Sequence, residues 1–236
     1  MFSASADLYD LIYASFKDYP AEARHVAEII RREQPAARSI LDVACGTGEH
    51  ARLLTEEHGF EVDGLDLDPA FVRIAAAKLP KGHVYKGDMT EFSLEGRYDA
   101  LICLFSAIGY VRTLENVIKA FRLFRAHLAP GGVVLVEPWF PPGVLEPGRI
   151  SVKTAERDGV SIARMSQLRV EDRLSRLRFE YLIGREGTIE HAVEIHDLGL
   201  FTPEEMLASF VAAGFAATLD PVGVSDRGLY VARAAR

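Results

Sequence analysis

The stretch Leu41-Asp42-Val43-Ala44-Cys45-Gly46-Thr47-Gly48-Glu49-His50-Ala51 decides the fold of this chain of 236 residues. The apolar run 39–43 predicts a buried strand, and the segment 49–58 has the character of a helix. Between them, Gly46 and Gly48 lack a Cβ atom, so the backbone can turn sharply and a ligand can approach it closely. The helix points its free N–H groups into the same gap. In an open α/β sheet, nucleotide-like ligands bind at this edge, beyond the carboxyl ends of the strands.

Strands and helices alternate on both sides of this glycine corner, which we define as residues 44–48. Further strands are predicted at 61–67, 83–86, 98–104, 133–136, 216–219 and 229–233. Helices are predicted at 21–33, 69–79, from the cap Thr113 to a stop at Pro130-Gly131-Gly132, and from the capping box Thr202-Pro203-Glu204-Glu205 to Gly214. This succession predicts an α/β fold with a doubly wound, mostly parallel sheet of seven strands.

The pattern changes between residues 150 and 200, where predicted strands follow one another with only turns between them. Around 176–183, apolar and charged residues alternate, which is typical of a strand with one buried face. Turn signals occur at Asp158-Gly159, Glu171-Asp172 and Arg185-Glu186-Gly187. We therefore predict an inserted antiparallel sheet at 139–196, between the two parts, 1–138 and 197–236, of one Rossmann-like domain.

Length and composition indicate one large globular domain, or one domain with an insertion. The net charge of −7 argues against a protein that binds nucleic acid mainly through phosphates. The two cysteines, Cys45 and Cys103, have no metal-ligand spacing around them, so we expect a metal-free, cytoplasmic protein. The stretch 1–11 lacks the basic region of a signal peptide, and the longest apolar stretch, 100–111, is too short to span a bilayer.

Acidic residues stand at the ends of the second and third predicted strands. The glycine corner with Ala51 fits the G-x-G-x-x-G/A pattern of dinucleotide-binding turns, and Asp66 stands where a carboxylate can bind both hydroxyls of a ribose. Asp88 and Met89 stand where an adenine would lie, because a carboxylate can accept from its exocyclic amine and a methionine can cover a ring face. Alone, Asp66 is as typical of a helix cap as of a ribose site, and Asp88 is more typical of a solvated turn than of a binding site. Together, at the ends of neighbouring strands, they favour a nucleoside site.

The segment Asp42-Val43-Ala44-Cys45-Gly46-Thr47-Gly48 resembles motif I of the class I S-adenosylmethionine-dependent methyltransferases. Asp66, Asp88-Met89, the strand at 99–104 and Pro130-Gly131-Gly132 match the later motifs of that family in order. The resemblance implies a Rossmann-like methyltransferase fold with S-adenosyl-L-methionine as cofactor and no metal. The cofactor contacts that it implies, from the methionine end to the adenine, are with Ala44, Cys45, Gly46, Asp66, Leu67, Asp88, Met89 and Leu104.

Segments spread from end to end of the chain carry a more specific signal. They are Leu8-Tyr9-Asp10-Leu11, Lys17-Asp18-Tyr19, the motif I segment, Gly87-Asp88-Met89, Phe105-Ser106-Ala107-Ile108-Gly109, Val136-Glu137-Pro138-Trp139 and Arg227-Gly228-Leu229. Together they resemble the nucleotide-deoxyaminosugar N,N-dimethyltransferases of desosamine and mycaminose pathways, which methylate the amine of a dTDP-linked aminohexose. This resemblance implies that Tyr9 and Tyr19 close over the cofactor and that the inserted sheet shapes a site for a nucleotide-sugar.

Three positions depart from these family patterns. Ala44 stands where the general motif has glycine. Tyr110 stands where the aminosugar family places histidine, and Phe2 replaces an N-terminal tyrosine. The changes at Tyr110 and Phe2 concern the polar groups nearest the reacting nitrogen, so they bear on the choice of sugar and not on the cofactor site.

Methyl transfer from a sulfonium needs an amine that is neutral, desolvated and in line with the methyl–sulfur bond, and positioning alone supplies on the order of 7–11 kcal/mol. Tyr110 is our candidate for orienting or relaying the amine proton, and Glu137 is a second; a packing tyrosine and a solvated strand end are the alternatives. Arg227 is the candidate partner of a substrate phosphate, with a surface arginine as the alternative. Trp139 is a candidate for stacking on a base or for core packing, and Tyr181 on the inserted sheet is a further substrate candidate.

The function that follows is an S-adenosylmethionine-dependent N-methyltransferase of a small molecule, with the amine of a nucleotide-linked aminodeoxysugar as the favoured acceptor. Three alternatives stay open: a methyltransferase for another small amine, hydroxyl or carboxyl acceptor, an NAD-dependent oxidoreductase, and a non-catalytic regulatory module. We interpret His191 and His196, which alternate with apolar residues, as structural. We expect no nucleic-acid or membrane partner. The resemblance makes a homodimer an expectation, although the sequence shows no self-complementary patch.

Overall fold

Two β-sheets organise this chain in a computed structural model, which describes residues 6–235 and, at Asp7, the backbone alone. Phe2 lies outside the described residues. The helices are α1 Tyr9–Ala14, α2 Tyr19–Glu33, α3 Glu49–Glu56, α4 Pro69–Lys78, α5 Leu114–His127 and α6 Pro203–Ala212, with short 3-10 helices at Ala6–Leu8 and Ala107–Val111. The strands are β1 Ser39–Val43, β2 Glu61–Asp66, β3 Val84–Lys86, β4 Tyr98–Cys103, β5 Leu128–Val136, β6 Ile150–Arg157, β7 Val160–Glu171, β8 Leu174–Arg185, β9 Thr188–Gly199, β10 Phe215–Asp220 and β11 Leu229–Ala234.

The larger sheet has seven strands in the order β10-β11-β5-β4-β1-β2-β3. The strands β1 to β5 all run parallel to one another, and β11 runs antiparallel to both β5 and β10. Because β1 lies between β2 and β4, the strand order reverses there, and ligands of open α/β sheets bind at such a point. The predicted fold class, a doubly wound and mostly parallel sheet with an inserted antiparallel sheet, is confirmed.

Short polar side chains start the helices where the sequence predicts helix starts. The Asp68 carboxylate accepts from the backbone N–H of Ala70 at 2.9 Å, and the Thr113 hydroxyl caps α5. Thr202 and Glu205 form the predicted capping box at the start of α6. Each cap satisfies N–H groups that the first helical turn leaves without a partner.

The end of α5 differs from the prediction. The helix ends at His127 and β5 begins at Leu128, so Pro130-Gly131-Gly132 lies within the strand span and does not end the helix. The reason is a shift of pairing between β4 and β5, since Tyr98 pairs with Leu128 but Ala100 pairs with Val133. Residues 129–132 therefore bulge out of the ladder.

The smaller sheet has four antiparallel strands in the order β6-β7-β8-β9. Tight turns join the strands near the predicted turn signals, and β9 continues past residue 196 to Gly199. One face of this sheet packs on α1 through a buried cluster of Leu8, Leu11, Ile12, Ile162, Phe179, Tyr181 and Ile183. The inserted sheet and the first helix thus form one layer above the carboxyl ends of the larger sheet.

Two buried clusters cover the two faces of the larger sheet. On one face, α5 and α6 pack together, and the rings of Phe121 and Phe210 stack with their centroids 3.9 Å apart. On the other face, α2 and α3 pack over β1 and its neighbours. Within residues 6–235, no helix combines the length and the apolar character needed to cross a membrane.

Candidate active site

A cavity of about 430 Å³ opens at the carboxyl ends of β1, β2 and β4, below α1 and the inserted sheet. Small-molecule sites usually enclose roughly 300–1,000 Å³. All residues predicted to contact the cofactor line this cavity, and so do three of those predicted for catalysis or substrate. They are Tyr9, Tyr19, Ala44, Cys45, Gly46, Asp66, Leu67, Asp88, Met89 and Leu104, together with Tyr110, Trp139 and Arg227. Glu137 and Tyr181 lie outside the lining.

The glycine corner leaves space at the floor of the cavity. Gly46 has a φ angle of 57°, and a Cβ atom placed on it would meet no atom within 4 Å, so this position is open to a ligand. Gly48 has a φ angle of 76°, and its Cβ would lie 2.9 Å from the Cβ of Ala75, so glycine is required where α3 starts against α4. Ala44 adopts a φ angle of 58°. For a residue with a Cβ, that left-handed conformation costs about 1–2 kcal/mol, which explains why the general motif has glycine there.

Asp66 is held at the end of β2 by two backbone donors. Its Oδ2 atom accepts from the N–H of Gly46 at 2.8 Å, and its Oδ1 atom accepts from the N–H of Asp68 at 2.9 Å. Burial raises the pKa of the Asp66 carboxyl, and these backbone donors oppose the increase. A carboxylate oxygen can accept more than one hydrogen bond, so the fixed side chain retains capacity for two adjacent hydroxyl donors.

Asp42, at the end of β1, is a lining residue that the sequence analysis did not single out. It is 3% exposed, and burial together with the nearby Asp66 carboxylate raises the pKa of its carboxyl group. Two acidic side chains at neighbouring strand ends favour a cationic ligand at the floor of the cavity. The available signal was its place as the first residue of the motif I segment, 42–48.

Asp88 and Met89 form the far end of the cavity, after β3. The Oδ1 atom of Asp88 accepts from both the backbone N–H and the hydroxyl of Thr90, each at 2.7 Å, which fixes the carboxylate in an Asx turn. The Met89 side chain packs against the core cluster beside it. This end therefore offers one oriented carboxylate and one apolar thioether, which suits the edge and the face of a purine.

Aromatic rings from α1 form the roof of the cavity. Tyr9 contacts Tyr13, with centroids 4.2 Å apart, and meets Phe71 edge-on at 5.1 Å. Tyr13 in turn meets the ring of Phe105, which follows β4, edge-on at 5.1 Å. These contacts join α1 to the larger sheet across the cavity, so a ligand on the floor is covered by this row of rings.

A polar contact between α1 and the glycine corner holds the roof closed, and we call it the latch. The hydroxyl of Thr47 donates to Oδ1 of Asp10 at 2.5 Å, and Nζ of Lys78 lies 2.6 Å from Oδ2 of the same carboxylate. Lys78 also pairs with Glu49 at 3.0 Å. Thr47 is buried, whereas the side chains of Asp10, Lys78 and Glu49 are partly exposed, and ion pairs of this kind contribute little to stability.

We expect Asp10→Asn to speed both entry and departure of the cofactor several-fold while changing its dissociation constant little. Asn keeps the shape of the side chain but removes the charge that pairs with Lys78, and such partly exposed pairs contribute less than about 1 kcal/mol. Stopped-flow measurement of binding and release checks this expectation. Glu56→Gln, which removes an exposed partner of Arg52 on α3, is the control. Unchanged rates in Asp10→Asn would contradict a gating role for the latch.

Tyr110 faces the cavity from the 3-10 helix after β4, and 39% of its surface is accessible. Its hydroxyl lies 3.0 Å from Nδ1 of His196 on β9, and the two rings meet edge-on. Burial of the hydroxyl end, together with nearby tyrosines and acids, raises the pKa of Tyr110 well above its usual value. Tyr110 is therefore a neutral hydroxyl with a fixed partner.

Glu137 is 1% exposed and acts on the cavity only through other residues. Its carboxylate accepts from the backbone N–H of Phe105 and from the hydroxyl of Ser225, and it lies 3.9 Å from Nη1 of Arg227. Phe105 and Ser106 both adopt positive φ angles, 52° and 63°. Such strained residues persist only where their surroundings hold them, and Glu137 supplies part of that support.

Arg227 reaches the cavity among aromatic rings. Its guanidinium carbon lies 5.0 Å from the ring centroid of Phe105 and 5.8 Å from those of Trp139 and Phe140. Its Nη1 atom donates to the hydroxyl of Ser106 at 3.0 Å. The side chain is thus held in place, and a guanidinium has further donors for an anionic group.

The two remaining substrate candidates differ in position. Trp139 lines the cavity, and its Nε1–H donates to the hydroxyl of Ser175 on β8 at 2.8 Å, which ties the indole to the inserted sheet. Tyr181 is buried in the cluster between that sheet and α1, where its hydroxyl donates to Glu194 at 3.0 Å.

Sequence reasoning missed two residues that the inserted sheet places at the cavity or directly beneath it. Arg164 lies between the rings of Tyr13 and Phe179, at 5.1 and 4.5 Å from their centroids, and its Nη1 atom donates to the hydroxyl of Tyr13 at 3.1 Å. His196 lies beneath Tyr110. The available signal was that polar residues occupy the inward face of alternating strands, but the sequence does not show which face is inward.

A family model described as a methyltransferase domain matches residues 40–132. The dTDP-3-amino-3,6-dideoxy-alpha-D-glucopyranose N,N-dimethyltransferase of Streptomyces fradiae is 40% identical to this chain over 227 residues, which cover 95% of this chain and 89% of the relative.

Two solved structures are similar over almost the whole chain. DesVI of Streptomyces venezuelae matches with a TM-score of 0.92 and 38% identity, covering 98% of both chains. The S-adenosylmethionine-bound structure of CalS10, an amino pentose methyltransferase from Micromonospora echinaspora involved in calicheamicin biosynthesis, matches with a TM-score of 0.86 and 35% identity, covering 95% of both chains. The similarity includes the inserted sheet, since the matched part exceeds the seven-stranded domain.

Proposed function

Because this chain belongs to the family of dTDP-aminodeoxysugar N,N-dimethyltransferases, which are S-adenosylmethionine-dependent methyltransferases, we propose that it methylates the amine of a nucleotide-linked aminodeoxysugar. The cofactor is S-adenosylmethionine, and family membership excludes the NAD-dependent oxidoreductase that the sequence alone left open. The choice of sugar is the part of the function that experiment has to decide.

The described residues fit the cofactor part by part. The open position at Gly46 would receive the methionine portion, the Asp66 carboxylate would bind the two ribose hydroxyls, and Asp88 with Met89 would contact the adenine. The acidic side chains at the ends of β1 and β2 match the positive charge of the sulfonium. When bound, the cofactor supplies an electrophilic methyl group on sulfur. The protein contributes orientation, removal of water and a path for the amine proton.

The acceptor half of the cavity lies between the 3-10 helix after β4 and the inserted sheet. We propose that Arg227 pairs with a substrate phosphate and that Trp139 stacks on the base or covers the sugar. Tyr110 contacts the amine. Glu137 acts as a positioning residue, because it supports Phe105 and Arg227 without reaching the cavity. Tyr181 contributes by orienting Glu194 below the sheet.

One observation carries the proposal: a single cavity contains both the acidic strand ends that suit the cofactor and a held guanidinium that suits a phosphate. The test is mass spectrometry of products from a pool of dTDP-aminosugars and simple amines incubated with S-adenosylmethionine. We expect mass increases of one or two methyl groups on a dTDP-aminosugar. Methylation of simple amines, hydroxyls or carboxyls alone would overturn the acceptor class, and absence of turnover with every acceptor would favour a regulatory module.

We also propose that the chain forms a homodimer through the outer apolar face of the inserted sheet, opposite to α1. Seven large apolar side chains are exposed there: Ile150, Val152, Met165, Leu182, Ile189, Val193 and Ile195. Apolar residues concentrated on one face are typical of interaction surfaces.

Both cysteines are free thiols, which supports a cytoplasmic location.

Met165→Glu is expected to shift the protein to a monomer, because a charge in an apolar interface loses its hydration without gaining a partner. Sedimentation equilibrium of both variants over a range of concentrations measures the change. Val211→Glu, at an exposed apolar position on α6, is the control. A wild-type protein that sediments as a monomer at all concentrations would contradict the proposed dimer.

A further inference from the structure

A chain of polar side chains leads from Tyr110 at the cavity to buried residues of the inserted sheet. The hydroxyl of Tyr110 lies 3.0 Å from Nδ1 of His196. The other ring nitrogen of His196, Nε2, lies 3.6 Å from Oε2 of Glu194. That oxygen accepts from the hydroxyl of Tyr181 at 3.0 Å. His196 is 1% exposed, so its imidazole lies away from solvent in contact with these neighbours.

The surroundings of His196 determine which ring nitrogen carries its proton. Burial lowers the pKa of His196, so the imidazole is neutral at neutral pH, with one donor and one acceptor nitrogen. The Glu194 carboxylate lies on the Nε2 side and electrostatically favours the proton there. Nδ1 is then the acceptor, and the hydroxyl of Tyr110 donates to it. The lone pairs of the Tyr110 oxygen remain available to a group in the cavity.

We infer that His196, oriented by Glu194, is the final acceptor of the proton that the substrate amine loses, and that the hydroxyl of Tyr110 carries this proton to it. This inference rests on the proposed aminosugar N-methylation. His196 does not touch the substrate, so it acts through Tyr110. The two residues form a unit. The sequence did not indicate it, because neither the family motif at Tyr110 nor the alternation around His196 links the two residues.

The proton transfer balances within these residues. A proton of the substrate ammonium moves to the Tyr110 oxygen while the Tyr110 proton moves to Nδ1 of His196. The freed nitrogen lone pair forms the bond to the methyl carbon as the bond from that carbon to sulfur breaks, and sulfur keeps its electron pair. His196 is then an imidazolium beside the Glu194 carboxylate, and its proton returns to water through Tyr110 after the product has left.

Among the described residues, charged and titratable groups from three elements face His196. Glu194 on β9 favours the imidazolium, whereas Arg164 on β7 disfavours it, and Tyr110 faces Nδ1 from the 3-10 helix after β4. The ring of Phe179 on β8 contacts the imidazole with centroids 5.0 Å apart. Arg164 and burial therefore keep His196 neutral at rest, while Glu194 stabilises it for the short time that it carries the proton.

Variants separate proton transfer from orientation. In His196→Asn, the amide oxygen can accept from Tyr110 but cannot take its proton, whereas Tyr110→Phe removes the hydroxyl. We expect both to lower kcat roughly 100-fold, the lower end of what general base catalysis contributes. The double variant should lose little more, because the residues act as one unit. The dissociation constant of S-adenosylmethionine should stay unchanged in all three.

The pH dependence of kcat gives a second readout. In the wild type, kcat should fall as the pH drops through the pKa of His196, below its usual value of about 6.5, because an imidazolium cannot accept from Tyr110. His196→Asn should lack this acidic limb. His191 is an exposed residue on the same strand, and it pairs with Glu180. His191→Asn is therefore the matched control and should keep both the value of kcat and the acidic limb of its pH profile. Full activity with an unaltered pH profile in His196→Asn would overturn the inference.

Nitrogen-15 NMR of histidine-labelled wild-type protein tests the resting state without turnover. We expect a neutral His196 with its proton on Nε2 and a hydrogen-bonded Nδ1, and the spectrum of His196→Asn assigns the signal. An Nδ1–H tautomer or an imidazolium at neutral pH would overturn the inference, whatever the activity of the variant. A wild-type enzyme that methylates no aminosugar would overturn the proposed function, whereas an active wild type with an equally active His196→Asn overturns this inference alone.

Discussion

Replacing Asp66 with alanine should raise the dissociation constant of S-adenosylmethionine about 100-fold, which corresponds to roughly 2.7 kcal/mol. The Asp66 carboxylate is held by the N–H groups of Gly46 and Asp68 at the end of β2, so it is already oriented before the ribose arrives. Hydrogen bonds to a charged group contribute about 1.5–3 kcal/mol each, and a ribose offers two donors. Calorimetry with S-adenosylmethionine and S-adenosylhomocysteine measures the loss, which should be equal for both ligands.

A neighbouring acid on the same strand provides the control for this experiment. Asp63 accepts from the hydroxyl of Tyr98 and from the backbone N–H of His83, both at 2.8 Å, and does not line the cavity. Asp63→Ala should lower the melting temperature without changing the affinity for the cofactor. An unchanged dissociation constant in a folded Asp66→Ala would show that the ribose does not bind at Asp66.

The second large effect is expected at Arg227, where Arg227→Met should raise KM for the dTDP-aminosugar between about 10-fold and 100-fold. A guanidinium bound to a phosphate makes charge-assisted hydrogen bonds. Methionine cannot make these hydrogen bonds, but it keeps much of the apolar contact with Phe105 and Trp139. The affinity for S-adenosylmethionine should not change. Steady-state kinetics with saturating cofactor gives KM and kcat separately.

The substrate itself supplies the sharper control. The same aminosugar without its nucleotide has no phosphate, so Arg227→Met should lower kcat/KM for the dTDP-sugar and leave that for the free sugar nearly unchanged. Arg176→Met, which removes an exposed pair with Asp197, should affect neither. An equal loss on both substrates would mean that Arg227 acts only by supporting Ser106 and its strained neighbour Phe105.

The parts of this molecule that sequence reasoning predicts well depend on local physical rules. Glycines with positive φ, acids at strand ends and polar helix caps are each determined by a few neighbouring residues, so the glycine corner, Asp66 and Asp88 were found without the structure. The end of α5 was wrong because its cause is a pairing shift between β4 and β5, which no local pattern records.

The acceptor side of the cavity was predicted less completely for the same reason. Tyr110 and His196 are far apart in sequence, and the 3.0 Å contact between them depends on how β9 of the inserted sheet packs against the 3-10 helix after β4. Glu137 was placed at the correct strand end, but its carboxylate turns inward to Phe105 and Ser225 and not toward the cavity. Residues whose role depends on two packed layers cannot be read from alternation along one strand.

The latch between Thr47, Asp10 and Lys78 affects how many methyl groups each sugar receives before it leaves the enzyme. An acceptor that takes two methyl groups needs two cofactor molecules in succession, and the spent one leaves through the space that α1 covers. If the sugar dissociates faster than α1 lifts, the monomethylated compound accumulates in solution and competes with fresh substrate. The fraction of singly methylated sugar early in the reaction should therefore fall in a variant whose latch opens faster.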